Sequence, residues 1–90
     1  MTRAIVSVVA KDTVGIIAYV AGHLASKNIN VLDISQTVMQ DYFTMIMLVD
    51  LSGCKEGFDD IRSSLHECGE AKGLVIHIQR QEIFDAMHRV

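Results

Sequence analysis

The sequence predicts an α+β sandwich, a four-stranded antiparallel sheet with two helices on one face. Three observations predict it. Four apolar stretches read as strands, two others repeat apolar residues at helical spacing, and their order along 90 residues is strand, helix, strand, strand, helix, strand. A chain of this length holds one hydrophobic core, so residues 1–90 are expected to form a single domain with a core over 3–80 and a helical tail over 81–90.

The first strand is Ala4 to Val9, a short β-branched run that separates Ala4, Val6 and Val8 from Ile5, Ser7 and Val9. From Val14 to Lys27 the residues Ile16, Ile17, Val20 and Leu24 recur at helical intervals, and Lys27 with Asn28 supplies the stop. Asn30 to Met39 is the second strand, with Leu32, Ile34 and Val38 set against Val31, Asp33, Ser35 and Thr37. After the polar pair Gln40-Asp41 a third strand runs from Tyr42 to Leu51, placing Phe43, Met45, Met47, Val49 and Leu51 on one face. A two-residue break between strands makes a hairpin, although this one lacks the glycine of the favoured tight turns.

A loop over Ser52 to Gly57 leads to the second helix, where Phe58, Ile61, Leu65 and Cys68 repeat until Gly69. The fourth strand, Leu74 to Gln79, alternates Leu74, Ile76 and Ile78 with Val75, His77 and Gln79. Gln81 to Val90 can close the chain as a short helix with Ile83, Phe84 and Met87 on its apolar edge. Two β-α-β units joined through a central hairpin give the ferredoxin-like βαββαβ arrangement. Both helices then cover one face, and the other meets solvent or a partner.

Composition narrows the function. Half of the residues are hydrophobic, a fifth are charged and the net charge is −3, which describes a globular chain without the basic surface that nucleic acid requires. No apolar run approaches the roughly 18 to 20 residues of a membrane span, and no signal-peptide pattern opens the chain, so a cytoplasmic protein with no membrane partner is expected. Cys54 and Cys68 have neither CxxC nor metal-like spacing and are expected to be reduced thiols. So much apolar surface on so short a chain favours a homodimer or a larger homo-oligomer.

The segment Lys11-Asp12-Thr13-Val14-Gly15-Ile16-Ile17 joins the first strand to the first helix. Asp12 or Thr13 can cap the free amides of the first helical turn, a contact worth roughly 1 kcal/mol. Gly15 leaves the turn without a side chain. A small anionic or zwitterionic ligand, or another backbone, can approach such a turn closely.

The sequence Asp12-Thr13-Val14-Gly15-Ile16-Ile17, followed by Asn28-Ile29-Asn30-Val31 at the start of the second strand, resembles the first β-α-β segment of the ACT domain, a small regulatory module that often binds amino acids. The whole element order agrees with it. Asp33-Ile34-Ser35-Gln36-Thr37-Val38 and the tail Ile83-Phe84-Asp85-Ala86-Met87 further resemble the small stand-alone bacterial members, which carry no attached enzyme. In that family effectors commonly sit at a subunit interface, between this turn of one chain and the second strand of a neighbour. The resemblance therefore implies ligand or dimer contacts at Asp12, Val14, Gly15, Ile16, Asn30 and Val31, with Asn30 offering both an acceptor and donors. Two departures are visible. Val14 stands where many members have proline, and Ala10 and Asp12 replace the histidine and asparagine that hold serine in serine-binding members.

Other chemistry finds little support. His23, His66, His77 and His88 have no short paired spacing, so no metal site is expected. Ser35 and Thr37 near Asp33 lack a histidine to complete a triad, and Lys11 is the only basic residue of the first loop, where small acyl-phosphate hydrolases of similar fold use an arginine. The sequence thus predicts no catalytic residues and no cofactor. The expected function is a non-catalytic regulatory module that binds an amino acid or related metabolite at a homo-oligomer interface and acts on a regulated protein. The alternatives are a ligand-free interaction module, or a small enzyme acting on a phosphorylated or acyl substrate.

Overall fold

The computed structural model describes residues 2–11 and 15–82. Its elements are β1 (Arg3–Lys11), α1 (Ile16–Ser26), β2 (Asn30–Met39), β3 (Tyr42–Asp50), α2 (Phe58–Lys72) and β4 (Val75–Arg80). The strands form one antiparallel sheet in the order β2-β3-β1-β4, the ferredoxin-like topology expected. β1 lies inside, paired along its whole length with β3 and over six residues with β4. Consequently β2 and β4 are the edge strands of the described sheet.

The helix-covered face carries the core. Ala4, Val6 and Val8 of β1, Met45, Met47 and Val49 of β3, and Ile76 and Ile78 of β4 are buried beneath Ile16, Val20 and Leu24 of α1 and Ile61 and Leu65 of α2. The period-two and period-3.6 patterns predict these faces, because alternate strand residues and every third or fourth helical residue point the same way. On the opposite face Val9, Ile46 and Val75 remain exposed.

Three details differ from the sequence reading. α2 does not stop at Gly69 but continues through Lys72, and Gly73 ends it at φ 71 in the left-handed conformation. Gly69 is instead a packing residue: a Cβ there would lie 2.7 Å from the Leu74 carbonyl oxygen and 3.1 Å from Cγ1 of Ile76. Glycine marks a close approach here rather than a break.

The second difference is a bulge in β2. Val31 pairs with Val49 but Asp33 pairs with Leu48, so the register shifts across Leu32. An extra residue exchanges the faces on either side of it. Val31 therefore shares the helix-covered face with Ile34 and Val38 rather than the face of Asp33.

The third concerns the start of α1. Its N-cap is Gly15, in the left-handed region at φ 88, and Gly15 contributes no side-chain cap; the expected caps Asp12 and Thr13 lie outside the described residues. Residues 83–90, where the sequence predicts most of a terminal helix, also lie outside the described residues. At the other end of α1 Lys27 is the C-cap and Asn28 turns the chain at φ 60, donating from its side-chain amide to the Gly53 carbonyl at 2.9 Å.

A seam of polar contacts at every fourth residue, Tyr19 and His23 of α1 and its C-cap Lys27, ties this helix to α2 and to the loop that precedes it. Tyr19 Oη donates to the Cys68 carbonyl at 2.8 Å, His23 Nε2 lies 3.1 Å from Ser64 Oγ, and Lys27 Nζ meets Glu56 at 2.6 Å. Burial pushes the pKa of His23 below its ordinary value, and the neighbouring Lys27 charge adds to the effect against a smaller opposing pull from Glu56. Protonation then favours the unfolded chain. The stability this histidine contributes is expected to be complete above its unfolded pKa of about 6.5 and to decline as pH falls below it toward the folded value. Urea melts of wild type and His23→Gln between pH 5 and 8 check this: the variant should lose that part of the slope.

Candidate ligand site

Gly15, Ile16, Ile17 and Ala18, the beginning of α1, form one wall of a groove of about 590 Å³. The other wall is Gln36 and Val38 on β2, with Phe43 of β3 completing the lining. The hairpin creates this arrangement. Its two-residue turn, Gln40-Asp41, places Val38 opposite Phe43 and Gln36 opposite Met45, all facing the helix side. Gln40 takes a positive φ of 55 to close the turn without glycine. Since β2 is an edge strand, α1 covers this face only in part: Ile17, Ile34 and Val38 are 38, 40 and 58% exposed.

Of the residues implied by the family resemblance, Asp12 and Val14 lie outside the described residues. Gly15 lines the groove with nothing within 4 Å of where a Cβ would stand, so its backbone is open to approach. Ile16 also lines it, although its side chain is 94% buried in the core, being 6% exposed. Asn30 and Val31 are elsewhere. Asn30 begins β2 opposite Asp50, whereas the groove lies toward the Met39 and Tyr42 end, at Gln36 and Val38, about 20 to 26 Å away along the strand. One chain does not bring the two groups together.

The Asn30 end has its own character. Asn30 is exposed on the face away from the helices, while Val31, moved by the bulge, is half-buried on the helix face. Asp50 beside Asn30 accepts from Ser52 Oγ at 2.6 Å and from the Ser52 backbone amide at 3.0 Å. Those two hydrogen bonds, with a smaller contribution from Arg3, hold its carboxyl below the usual carboxylate range. The Asn30 end thus carries a charged pair, Asp50 with Arg3 opposite it on β1, whereas the described lining of the groove carries no charged side chain.

Sequence reasoning missed Ile17, Ala18, Gln36, Val38 and Phe43 as groove residues. The two-residue hairpin was the available signal, because it fixes Val38 against Phe43 once the turn is accepted. Among the described residues no cluster of three metal-ligating side chains occurs, and no helix is long and apolar enough to cross a membrane.

The model of the ACT domain matches residues 2–79. This chain belongs to the ACT domain family. Its domains are commonly regulatory, ligand-binding modules rather than catalysts. The UPF0237 protein of Listeria innocua is 49% identical over 88 residues, covering 98% of this chain and 99% of that one. The UPF0237 protein of Clostridium acetobutylicum is 53% identical over the same shares. Among solved structures, an ACT domain protein from Streptococcus pneumoniae superimposes with a TM-score of 0.83 at 41% identity, covering 97% of this ACT domain and 98% of its own chain.

Proposed function

We propose that this ACT domain protein is a non-catalytic regulatory module that binds an amino acid or related small metabolite across the interface of a homodimer or larger homo-oligomer. The observation that carries the reading is the groove at Gly15 to Ala18, which lies open, among the described residues, beside β2, an edge strand of the sheet. Antiparallel pairing of β2 with β2 of a second copy, centred near Ile34 and Ser35, would carry Asn30 and Val31 of each chain to the groove end of the other. That arrangement unites two groups of residues that lie at opposite ends of one strand.

The surface of α1 supports the same pairing. Ile17, Ala18, Gly22 and Ala25 are exposed, and α1 contains no Lys, Arg, Asp or Glu. A helix face of this kind can approach another helix closely without desolvating charge. Ligand binding then acts as regulation: a molecule held by both chains favours one subunit arrangement by its differential affinity for it, and a regulated protein reads that arrangement.

Calorimetry and thermal-shift measurements across the twenty amino acids test the proposal. Binding is expected for a subset, with Asn30→Ala weakening it several-fold, the size of one hydrogen bond of about 1 kcal/mol. The absence of binding by the folded oligomer to every amino acid would refute the amino-acid reading. In that event copurification with another protein would favour the ligand-free interaction module, for which the exposed Val9, Ile46 and Val75 offer a surface.

A further inference from the structure

We infer that the site, on the reading just proposed, selects an amino acid with a sizeable apolar side chain, and that Val38 and Ile17 are the residues that determine this specificity. The groove carries the argument. Its described side-chain lining is Ile16, Ile17, Ala18, Val38 and Phe43, with Gln36 as the single polar group. Ile17 and Val38 line the groove from different elements, one on α1 and one on β2. Both keep a large part of their apolar surface in water.

A leucine-like side chain between them removes apolar area from water on three surfaces at once, at about 25 cal/mol per Å². A charged side chain there would lose its hydration without meeting an opposite charge from the described lining. A hydroxyl could be satisfied by Gln36 alone, and serine or alanine would leave most of the apolar wall uncovered. The selection rests on the side chain of the ligand, and it is independent of which groups hold its carboxylate and ammonium.

The test is isothermal titration calorimetry of the full chain with leucine, isoleucine, valine, methionine and phenylalanine, and with alanine, serine, aspartate and lysine. At least one of the first set should bind about tenfold or more tightly than alanine and serine, the discrimination that a few methylene groups give in an apolar pocket. Val38→Ser and Ile17→Ser should each weaken that ligand about tenfold. The same oligomeric state as the wild type in analytical ultracentrifugation is expected of both variants, so that the loss is read from the ligand contact and not from assembly. Serine, aspartate or lysine binding as tightly as the best apolar amino acid would overturn the inference while leaving the amino-acid function standing. Unchanged affinity in both variants would overturn it as well. Failure of every amino acid to bind would instead remove the proposed function, and this specificity with it.

Discussion

Leu24→Ala is expected to lower the melting temperature by more than about 10 °C. Leu24 is fully buried, on the α1 face that packs against the sheet with Val20 and Ile16. Removing its side chain forfeits the transfer free energy of three carbons and leaves a cavity, together costing roughly 2 to 5 kcal/mol. A domain of this size has a total stability of about 5 to 13 kcal/mol, and each 1 kcal/mol moves its midpoint by roughly 4 to 8 °C. The backbone adds to the cost. The Leu24 carbonyl accepts from both Lys27 at 3.1 Å and Ile29 at 3.0 Å, so any settling of α1 into the cavity also pulls on the turn into β2. Scanning calorimetry gives the midpoint directly, and a shift under about 3 °C would mean that α1 does not pack as described.

The second large effect concerns assembly. On the proposed β2 to β2 pairing, Ile34→Asp is expected to leave the chain monomeric at micromolar concentration, where the wild type is a dimer, with an unchanged circular dichroism spectrum. Ile34 stands at the middle of the β2 edge, on the helix side, and is 40% exposed in the single chain. An aspartate there costs the monomer little, because the carboxylate can stay hydrated. At the centre of a β2 to β2 pairing it would bring two like charges together and desolvate them. A loss of about 2 kcal/mol or more, typical of a central interface residue, corresponds to at least a 30-fold rise in the dimer dissociation constant. Analytical ultracentrifugation measures it. A variant that remains dimeric would move the contact away from β2, and the face bearing Val9, Ile46 and Val75 would become the surface to mutate next.

Much of the fold is legible from local periodicity. The alternation of Leu74, Ile76 and Ile78 with Val75 and His77 is the burial pattern of β4, and the repeat of Ile61, Leu65 and Cys68 is the buried stripe of α2. Both survive because the direction of a side chain follows from its position along a regular backbone. Gly69 shows the limit. Read locally it is a helix stop, yet it lies within a helix that Gly73 ends, and its reason is a backbone oxygen of Leu74 across the turn.

The candidate site was legible only in part for a similar reason. Gly15 and Ile16 are marked by the joint between strand and helix, and they do line the groove. Val38 and Gln36 carry no motif. Their place depends on the hairpin register and on β2 being an edge, neither of which a single strand records in its own residues.

By itself the sequence determined the βαββαβ order, the core face of β1, β3 and β4, and through its motifs the ACT domain resemblance. These follow from spacing along the chain, where each side chain's direction is set by its neighbours. Only the tertiary structure decided that a bulge at Leu32 turns Val31 toward the helices, that Gly15 and Asn30 stand at opposite ends of β2, and that a groove opens between α1 and Val38. Those are relations across space, fixed by which backbone groups pair and which surfaces meet, and the periodicity of an isolated segment contains no information about what will be opposite it.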